Sequence, residues 1–516
     1  MDNRIVESIF QQSLTFSQIL LIARRISVTF GETTEARSKN TRRSVAGKYI
    51  NRILCSPWCV GFLGILTFVA FAFSLEIEFY TFVALYAIFV GLFADDLAPI
   101  MPLFIFCYIT PSSGNNPGLS SEGLFFGTTA IYLVCIVSVA VIVLLLRIAL
   151  DKGFGLRRLF TTKRALLGGM IALGIAYFLS GITHEKYLEY ANGNLLFAFI
   201  QFASIFVLYF ILSATVKWDR FDPDYFAWIG LIMGFVVSAE VLYLYATNYV
   251  IADGVINRSN IYTGWGCYNN IGALIGMSIP FAFYFAAKKK RSSIFLIIAC
   301  LLFVMVILSG SRGSLIGTFY TLIACFIFTD FHGHYKKEYR ITAMTIVSLI
   351  GVVALIFPYQ LAEIFNQIPN IAHIEGGSLV MNDSGRFDLY KQGWDVFLRY
   401  PIFGQSFYPI EYEMSSFSYS EQFNSFFPPR WHNTIVQMLA SCGTVGIVAY
   451  SYHRISTFIL YAKKRTLTNT YIFHFIMTLL IMSLLDCHFF NVGPVLFYSI
   501  ALAVMEFGDK DVKKKF

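Results

Sequence analysis

The chain has 516 residues, of which 57% are hydrophobic, 17% aromatic and only 14% charged, with a net charge of +8. A soluble domain carries about 25% charged residues, so this composition cannot cover a water-facing surface, and soluble enzymes and nucleic-acid binders are excluded. Nor does it alternate as β-barrel strands do, which leaves an all-α, polytopic transmembrane helical bundle.

In chain order, Ile5, Ile9, Phe16, Ile19, Leu20, Ala23, Ile26 and Phe30 recur at helical spacing, interrupted by Arg24 and Arg25. This predicts a helix lying in the membrane interface, followed by a basic link from Gly31 to Arg52; a disordered tail is the alternative. The first long apolar run starts near Val60, too far along for a cleavable signal peptide. Runs follow at Val60–Leu75, Phe79–Ala94, Leu97–Ile109, Phe125–Leu150, Ala165–Leu179, Leu195–Val216 and Tyr225–Tyr245. Ile271–Ala287, Ile294–Leu308, Leu315–Thr329, Ile341–Phe357, Thr434–Tyr450, Tyr471–Leu485 and Val492–Val504 bring the total to about 14 spans.

Basic residues mark cytoplasmic loops. With a cytoplasmic N-terminus they all fall on one side: Arg157 to Arg164, Lys217 and Arg220, Lys288 to Arg291, Lys336 to Arg340, Lys463 to Arg465, and Lys513 to Lys515. Leu97–Ile109 is short and holds Pro99 and Pro102, but dropping it would put those clusters outside, so it is kept. Both termini are then cytoplasmic. The expected layout is a cytoplasmic N-terminal region at 1–58, a bundle at 59–358, and an extracytoplasmic catalytic loop at 359–431. The bundle resumes at 432–506, and a basic tail closes the chain at 507–516. Nine scattered cysteines show neither a disulfide framework nor zinc-ligand spacing.

The loop from Tyr359 to Trp431 is roughly 70 residues, far longer than an ordinary connection. Within it Ser384 to Tyr400 reads as an amphipathic helix capped by Ser384 and ended by Pro401. Phe387, Tyr390, Trp394, Phe397 and Leu398 share one face. No internal repeat of the kind many transporters show is visible.

Ionisable residues in or beside spans are functional candidates by default. Arg312, in Ser309-Gly310-Ser311-Arg312-Gly313-Ser314, stands in the first turn of a helix, where another cation is unfavourable unless an anion joins it. A phosphate suits the guanidinium fork, although Arg312 could instead snorkel as an anchor. Arg386 opens the loop helix; a surface ion pair with Asp388 is its plain alternative. His432 follows Arg430 and Trp431 and precedes Asn433, which can cap the next span. A neutral imidazole at a helix N-terminus suits a general base on a sugar hydroxyl, and a structural histidine is the rival reading. Glu240, in the outer half of its span, is a proton or substrate contact or a partner for another helix. Asp486 and His488 end a span on the same side and carry less weight. Glu76 and Glu78 could hold a metal, but two carboxylates in a short loop are slender support. His332-Gly333-His334 reads as a solvated cytoplasmic loop.

These residues, in this order, resemble the O-antigen ligase and polymerase superfamily. The resemblance rests on Gly264-Trp265-Gly266 with Asn269-Asn270, the Ser-Arg-Gly-Ser turn at Arg312, Gly385-Arg386-Phe387 and Gly393-Trp394. Tyr400-Pro401-Ile402-Phe403-Gly404, His432-Asn433 and Gly443-Thr444-Val445-Gly446 complete it, between about Tyr262 and Tyr450. It implies a GT-C-like membrane glycosyltransferase of the bacterial cytoplasmic membrane, acting on its outer face without metal or other cofactor. The donor would be an undecaprenyl-diphosphate-linked glycan and the acceptor a glycan or glycolipid hydroxyl, with other polysaccharide-assembly proteins as further partners. Arg312 and Arg386 would grip the diphosphate and His432 would deprotonate the acceptor, giving inversion. Arg430, Asn433, Trp394 and Glu240 are expected substrate contacts. The N-terminal half carries no family motif. Ligase and polymerase share these motifs; polymerase is favoured as requiring the fewest assumptions about the acceptor. A lipid-linked oligosaccharide flippase, a non-catalytic scaffold of polysaccharide assembly and a metal-dependent glycosyltransferase are the alternatives.

Overall fold

A computed structural model describes residues 46–107, 128–150, 155–185, 187–252, 255–367, 372–375, 378–381, 385–407 and 430–508. The interfacial helix expected at Ile5–Phe30 and the basic tail lie outside the described residues. The helices are α1 (Ala46–Leu54), α2 (Pro57–Phe73), α3 (Glu76–Phe93), α4 (Leu103–Phe106), α5 (Thr128–Leu150), α6 (Gly155–Thr161) and α7 (Leu167–Phe178). They continue as α8 (Tyr187–Thr215), α9 (Pro223–Ala246), α10 (Tyr268–Lys288), α11 (Ser292–Leu308), α12 (Arg312–His332) and α13 (Lys336–Ile356). The last are α14 (Pro358–Gln367), α15 (Arg386–Arg399), α16 (Thr434–Lys463), α17 (Leu467–Ser483) and α18 (Val492–Ala503). Three short antiparallel hairpins complete the described chain: β1–β2 (Ile251–Ala252, Val255–Ile256), β3–β4 (Tyr262–Thr263, Gly266–Cys267) and β5–β6 (Ala372–Glu375, Ser378–Met381).

Among the described residues, eight helices are long and apolar enough to cross a membrane, and α1 with α2, bent by 54°, gives a ninth if they are one span. Four further apolar helices are shorter. The chain is therefore a multi-pass, all-α membrane protein. α10 is buried almost all round, whereas α5 and α13 expose most of their apolar surface. A helix apolar on every side belongs at the centre or against lipid, so α10 forms the core and α5 and α13 the lipid-facing flank.

The expected run Leu97–Ile109 is not a continuous helix. Pro99 and Pro102 withhold backbone donors, leaving a single turn at Ala98–Ile100 and the four-residue α4. The chain nevertheless travels back through the bundle here, because α3 and α5 run parallel. The Thr81 hydroxyl meets that of Tyr132 at 3.2 Å, and farther along both helices Arg147 donates to the Ala94 carbonyl at 3.0 Å. The Thr67 hydroxyl, well inside α2, donates to the Phe106 carbonyl at 3.2 Å, so the broken segment already reaches the interior of the bundle.

Charge separates the two ends of the bundle. At the end away from His432, Lys217 pairs with Asp95 at 2.6 Å, Lys288 and Lys289 with Asp224 at 2.5 and 2.8 Å, and Arg340 with Asp330 at 2.5 Å. Glu506 accepts from the Ala165 amide at 2.6 Å and from the Tyr209 hydroxyl, tying the last helix to α7 and α8.

α16 is two helices joined at Gly443, whose φ of 63° and ψ of −155° are not helical. An unbroken helix would bond the Thr444 and Val445 amides to the Ala440 and Ser441 carbonyls. Instead those amides donate to Pro401 and Ile402 at 2.8 and 3.1 Å, while the two carbonyls accept from Gln405 and Ser406 at 2.8 and 3.1 Å. The segment 401–406 is thus spliced into the break and satisfies these four backbone groups. Such backbone-to-backbone approach leaves no room for side chains: a Cβ on Gly404 would lie 2.2 Å from the Ser441 carbonyl carbon, and one on Gly443 2.5 Å from that of Ile402.

The splice carries the long loop. Phe407 packs on Phe490 with ring centroids 5.7 Å apart, and Arg430 donates to the Phe490 carbonyl at 3.4 Å, so the described residues on either side of 408–429 meet at one residue. α15 runs parallel to the outer part of α16 and seats on Leu389, Gly393 and Val396. The apolar face read from the sequence lies apart from this seat: Phe387, Trp394 and Leu398 are exposed. The reason is Gly393, whose missing side chain lets Val436 and Trp431 come close. Ser384 lies outside the described residues, and Gly385, at φ +70°, occupies the N-cap position.

Candidate functional site

Four elements meet at Asp486, in the connection between α17 and α18. One carboxylate oxygen faces His432 Nδ1 at 3.1 Å and accepts from the Cys487 amide at 2.7 Å. The other accepts from Asn269 Nδ2 at 2.6 Å and lies 3.9 Å from Arg386 Nη2. Asn269 is itself fixed: its Oδ1 is 3.1 Å from the hydroxyl of Ser311, the N-cap of α12, and Ser314 Oγ donates to its carbonyl at 3.2 Å. α10, α12, α15 and α16 thereby converge on one buried carboxylate.

The geometry defines what His432 can do. A carboxylate only accepts, so the proton between the two groups belongs to Nδ1, which leaves the lone pair on Nε2. The His432 side chain is 38% exposed against 8% for Asp486, so the ring reaches out from a buried anchor. Its backbone has φ +48°, a left-handed conformation rare for a residue with a Cβ. The Tyr390 hydroxyl donates to its carbonyl at 3.1 Å, and Asn433 caps α16 by accepting from the Ile435 and Val436 amides at 2.8 and 3.2 Å. Those restraints hold the strained turn and the imidazole with it.

Arg386 donates to the Leu485 carbonyl, and a Cβ on Gly313 would lie 3.9 Å from its Nη1. Its guanidinium therefore sits against the first turn of α12, next to Arg312, the first residue of that helix. Arg386 and the backbone of Arg312 thus meet at one helix N-terminus, where unpaired backbone N–H groups favour an anion. Arg430 is anchored on Phe490, and Asn433 Nδ2 donates to the Leu484 carbonyl at 2.8 Å, so both border the cluster.

Other expected residues lie elsewhere. Glu240 is buried in α9 beside Thr263 and Trp265 of the β3–β4 hairpin, which leads into Asn269. It supports the cluster from behind and does not line it. Trp394 packs against Phe397 on the exposed side of α15, away from Asp486. Glu76 and Glu78 fall in the first turn of α3. Among the described residues no group of three or more His, Cys, Asp or Glu side chains is arranged to hold a metal ion. His334 lies at the far end, 3.1 Å from the Ala287 carbonyl.

Burial would push the Asp486 carboxyl up, but the His432 hydrogen bond and Coulombic interactions with His488, His432 and Arg386 hold it below the usual carboxylate range. His488 is fully buried, and among the described residues neither ring nitrogen meets a hydrogen-bond partner. Burial lowers its pKa to about 4, Asp486 opposes this, and Arg430, Arg386 and His432 add to it. In the unfolded chain a histidine titrates near 6.5, so the unfolded state binds the extra proton first and stability falls as pH drops from about 6.5 toward 4. Thermal melts across that window should show this decline, and His488→Leu should flatten it. An unchanged slope in the variant would remove His488 as its source.

A model of the O-antigen ligase family matches residues 295–451. No curated protein matches the chain. The matched stretch contains Arg312, Arg386, Arg430, His432 and Asn433 but neither Asn269 nor Asp486. By sequence alone Asp486 carries little weight and Asn269 stands out only as part of a motif. The available signal was a carboxylate at the end of an apolar span, on the same side as His432.

Proposed function

We propose, from the premise that the chain is a member of the O-antigen ligase and polymerase superfamily through residues 295–451, that it is a glycosyltransferase moving glycan from an undecaprenyl-diphosphate carrier to an acceptor hydroxyl. The observation that carries the reading is the His432–Asp486 pair beside Arg386 and the N-terminus of α12. Asp486 orients the imidazole and stabilises its protonated form. His432 Nε2 takes the acceptor's proton as the hydroxyl oxygen forms its bond to the anomeric carbon. The bond from that carbon to the diphosphate oxygen breaks on the opposite face, so configuration inverts. Undecaprenyl diphosphate leaves with the bonding electron pair, and Arg312 and Arg386 meet its charge. The chemistry is metal-independent and the active face extracytoplasmic, which puts the basic end of the bundle and both termini in the cytoplasm. The loop 359–431 then forms the outer wall of the site, with the bundle at 59–358 and 432–506 beneath it. Polymerisation, with a second lipid-linked repeat as acceptor, is the preferred form of the reaction.

Liposomes holding the protein and lipid-linked repeat units test this when products are resolved by gel. A ladder that survives a chelator and disappears with His432→Ala supports a metal-independent polymerase. Product only after an acceptor glycolipid is added identifies a ligase. Carrier lipid crossing the bilayer with no new glycosidic bond rejects transfer in favour of flipping.

A further inference from the structure

α15 presents three faces. Leu389, Gly393 and Val396 are buried against α16. Phe387, Trp394 and Leu398 form an apolar stripe that is 71%, 50% and 59% exposed, with Tyr390 and Phe397 on its flank. Asp388, Lys391, Asp395 and Arg399 form a charged stripe on the other side. A helix surrounded by water has no reason to segregate its exposed residues in this way. One at a boundary does, with its apolar stripe toward hydrocarbon and its charges toward water.

The height of α15 follows from the helices that hold its two ends. Its N-terminal residue Arg386 touches the first turn of α12, and α12 rises about 31 Å from His332, one hydrocarbon thickness. The segment just past its C-terminus is spliced into α16 at Thr444, which stands about 30 Å above Lys463. Both ends of α15 thus sit at the same edge of the bilayer. A helix about 21 Å long can meet that condition only by lying along the surface. At its end Ile402, 57% exposed, continues the apolar stripe onto the lipid-facing side of α16, where Val448 is exposed.

We propose that α15 is a membrane-seating helix, lying in the headgroup layer with Phe387, Trp394 and Leu398 against the acyl chains. Its seat fixes Arg386 at the level of lipid phosphates. The placement stands without the proposed reaction; only its purpose, presenting Arg386 to a carrier diphosphate, rests on that reading.

The test needs no turnover, so it can fail separately from the proposed reaction. The full chain and a Trp394→Phe variant of equal melting temperature are reconstituted in phosphatidylcholine vesicles, and the Trp394 contribution is taken as the difference in fluorescence. Lipid brominated near the carbonyl end of its acyl chains should remove most of that contribution, and aqueous iodide much less. Equal or stronger quenching by iodide overturns the proposal by putting the stripe in water. Protection from both quenchers overturns it too, and points to a second copy or another protein covering the face.

Discussion

Asp486→Asn is expected to slow glycan transfer about 10²- to 10⁴-fold, with KM for the lipid-linked donor little changed. An amide of the same shape can keep its oxygen on Asn269 Nδ2, giving up only the bond from the Cys487 amide. The amide can also present its NH2 group to His432 Nδ1. That favours the tautomer with its proton on Nε2, where the acceptor's proton must arrive. The loss should therefore fall on kcat, the mark of an interaction made in the transition state. Activity within about twofold of the parent would show that His432 does not depend on this carboxylate. Stability gives an independent sign. Because the folded carboxyl is held below its ordinary value, ionised Asp486 stabilises the fold above about pH 3.9 and the contribution disappears as pH falls through the folded value. The asparagine variant lacks that decline.

Gly404→Ala is expected to cost about 3 kcal/mol or more, enough to lower the yield of folded protein and its melting temperature markedly. The new Cβ would meet the carbonyl carbon and oxygen of Ser441 at 2.2 and 2.3 Å, backbone atoms that no side-chain rotation can clear. Gly404 also has φ +69°. Relief requires withdrawing the 401–406 segment, which strands the Ala440 and Ser441 carbonyls and the Thr444 and Val445 amides in the interior. Gly351→Ala is the control, since nothing lies within 4 Å of its Cβ and alanine is the better helix former. Equal melting curves for the two variants would mean that the splice is not rigid.

The multi-pass helical architecture and the shared end of Arg312, Arg386 and His432 were legible because hydrophobic runs and charge asymmetry are local signals. The partner of His432 was not, because Asp486 lies 54 residues later and its other clamp, Asn269, 217 residues earlier. Nothing in a sequence ranks one polar residue at the end of a span above another until their separations in space are known. The seat of α15 was hidden for a different reason: a hydrophobic pattern rewards large side chains, whereas the seat depends on Gly393, which contributes by having none. Gly404 and Gly443 were visible only as pieces of two motifs. Their joint meaning, two backbones in contact, appears once α16 is seen to be broken between them.

Phe407 and Arg430 are both held at Phe490, which sets how freely the chain can change length between them. Segments whose ends are already held together add little closure entropy as they grow, about 0.6 kcal/mol for each doubling. The 401–406 splice and the cap at Asn433 lie outside that stretch of sequence, so residues inserted between Phe407 and Arg430 leave His432 and Arg386 on their supports. Descendants of this chain can therefore lengthen, shorten or replace that stretch while the reacting groups stay fixed, and fusions and epitope tags belong there for the same reason.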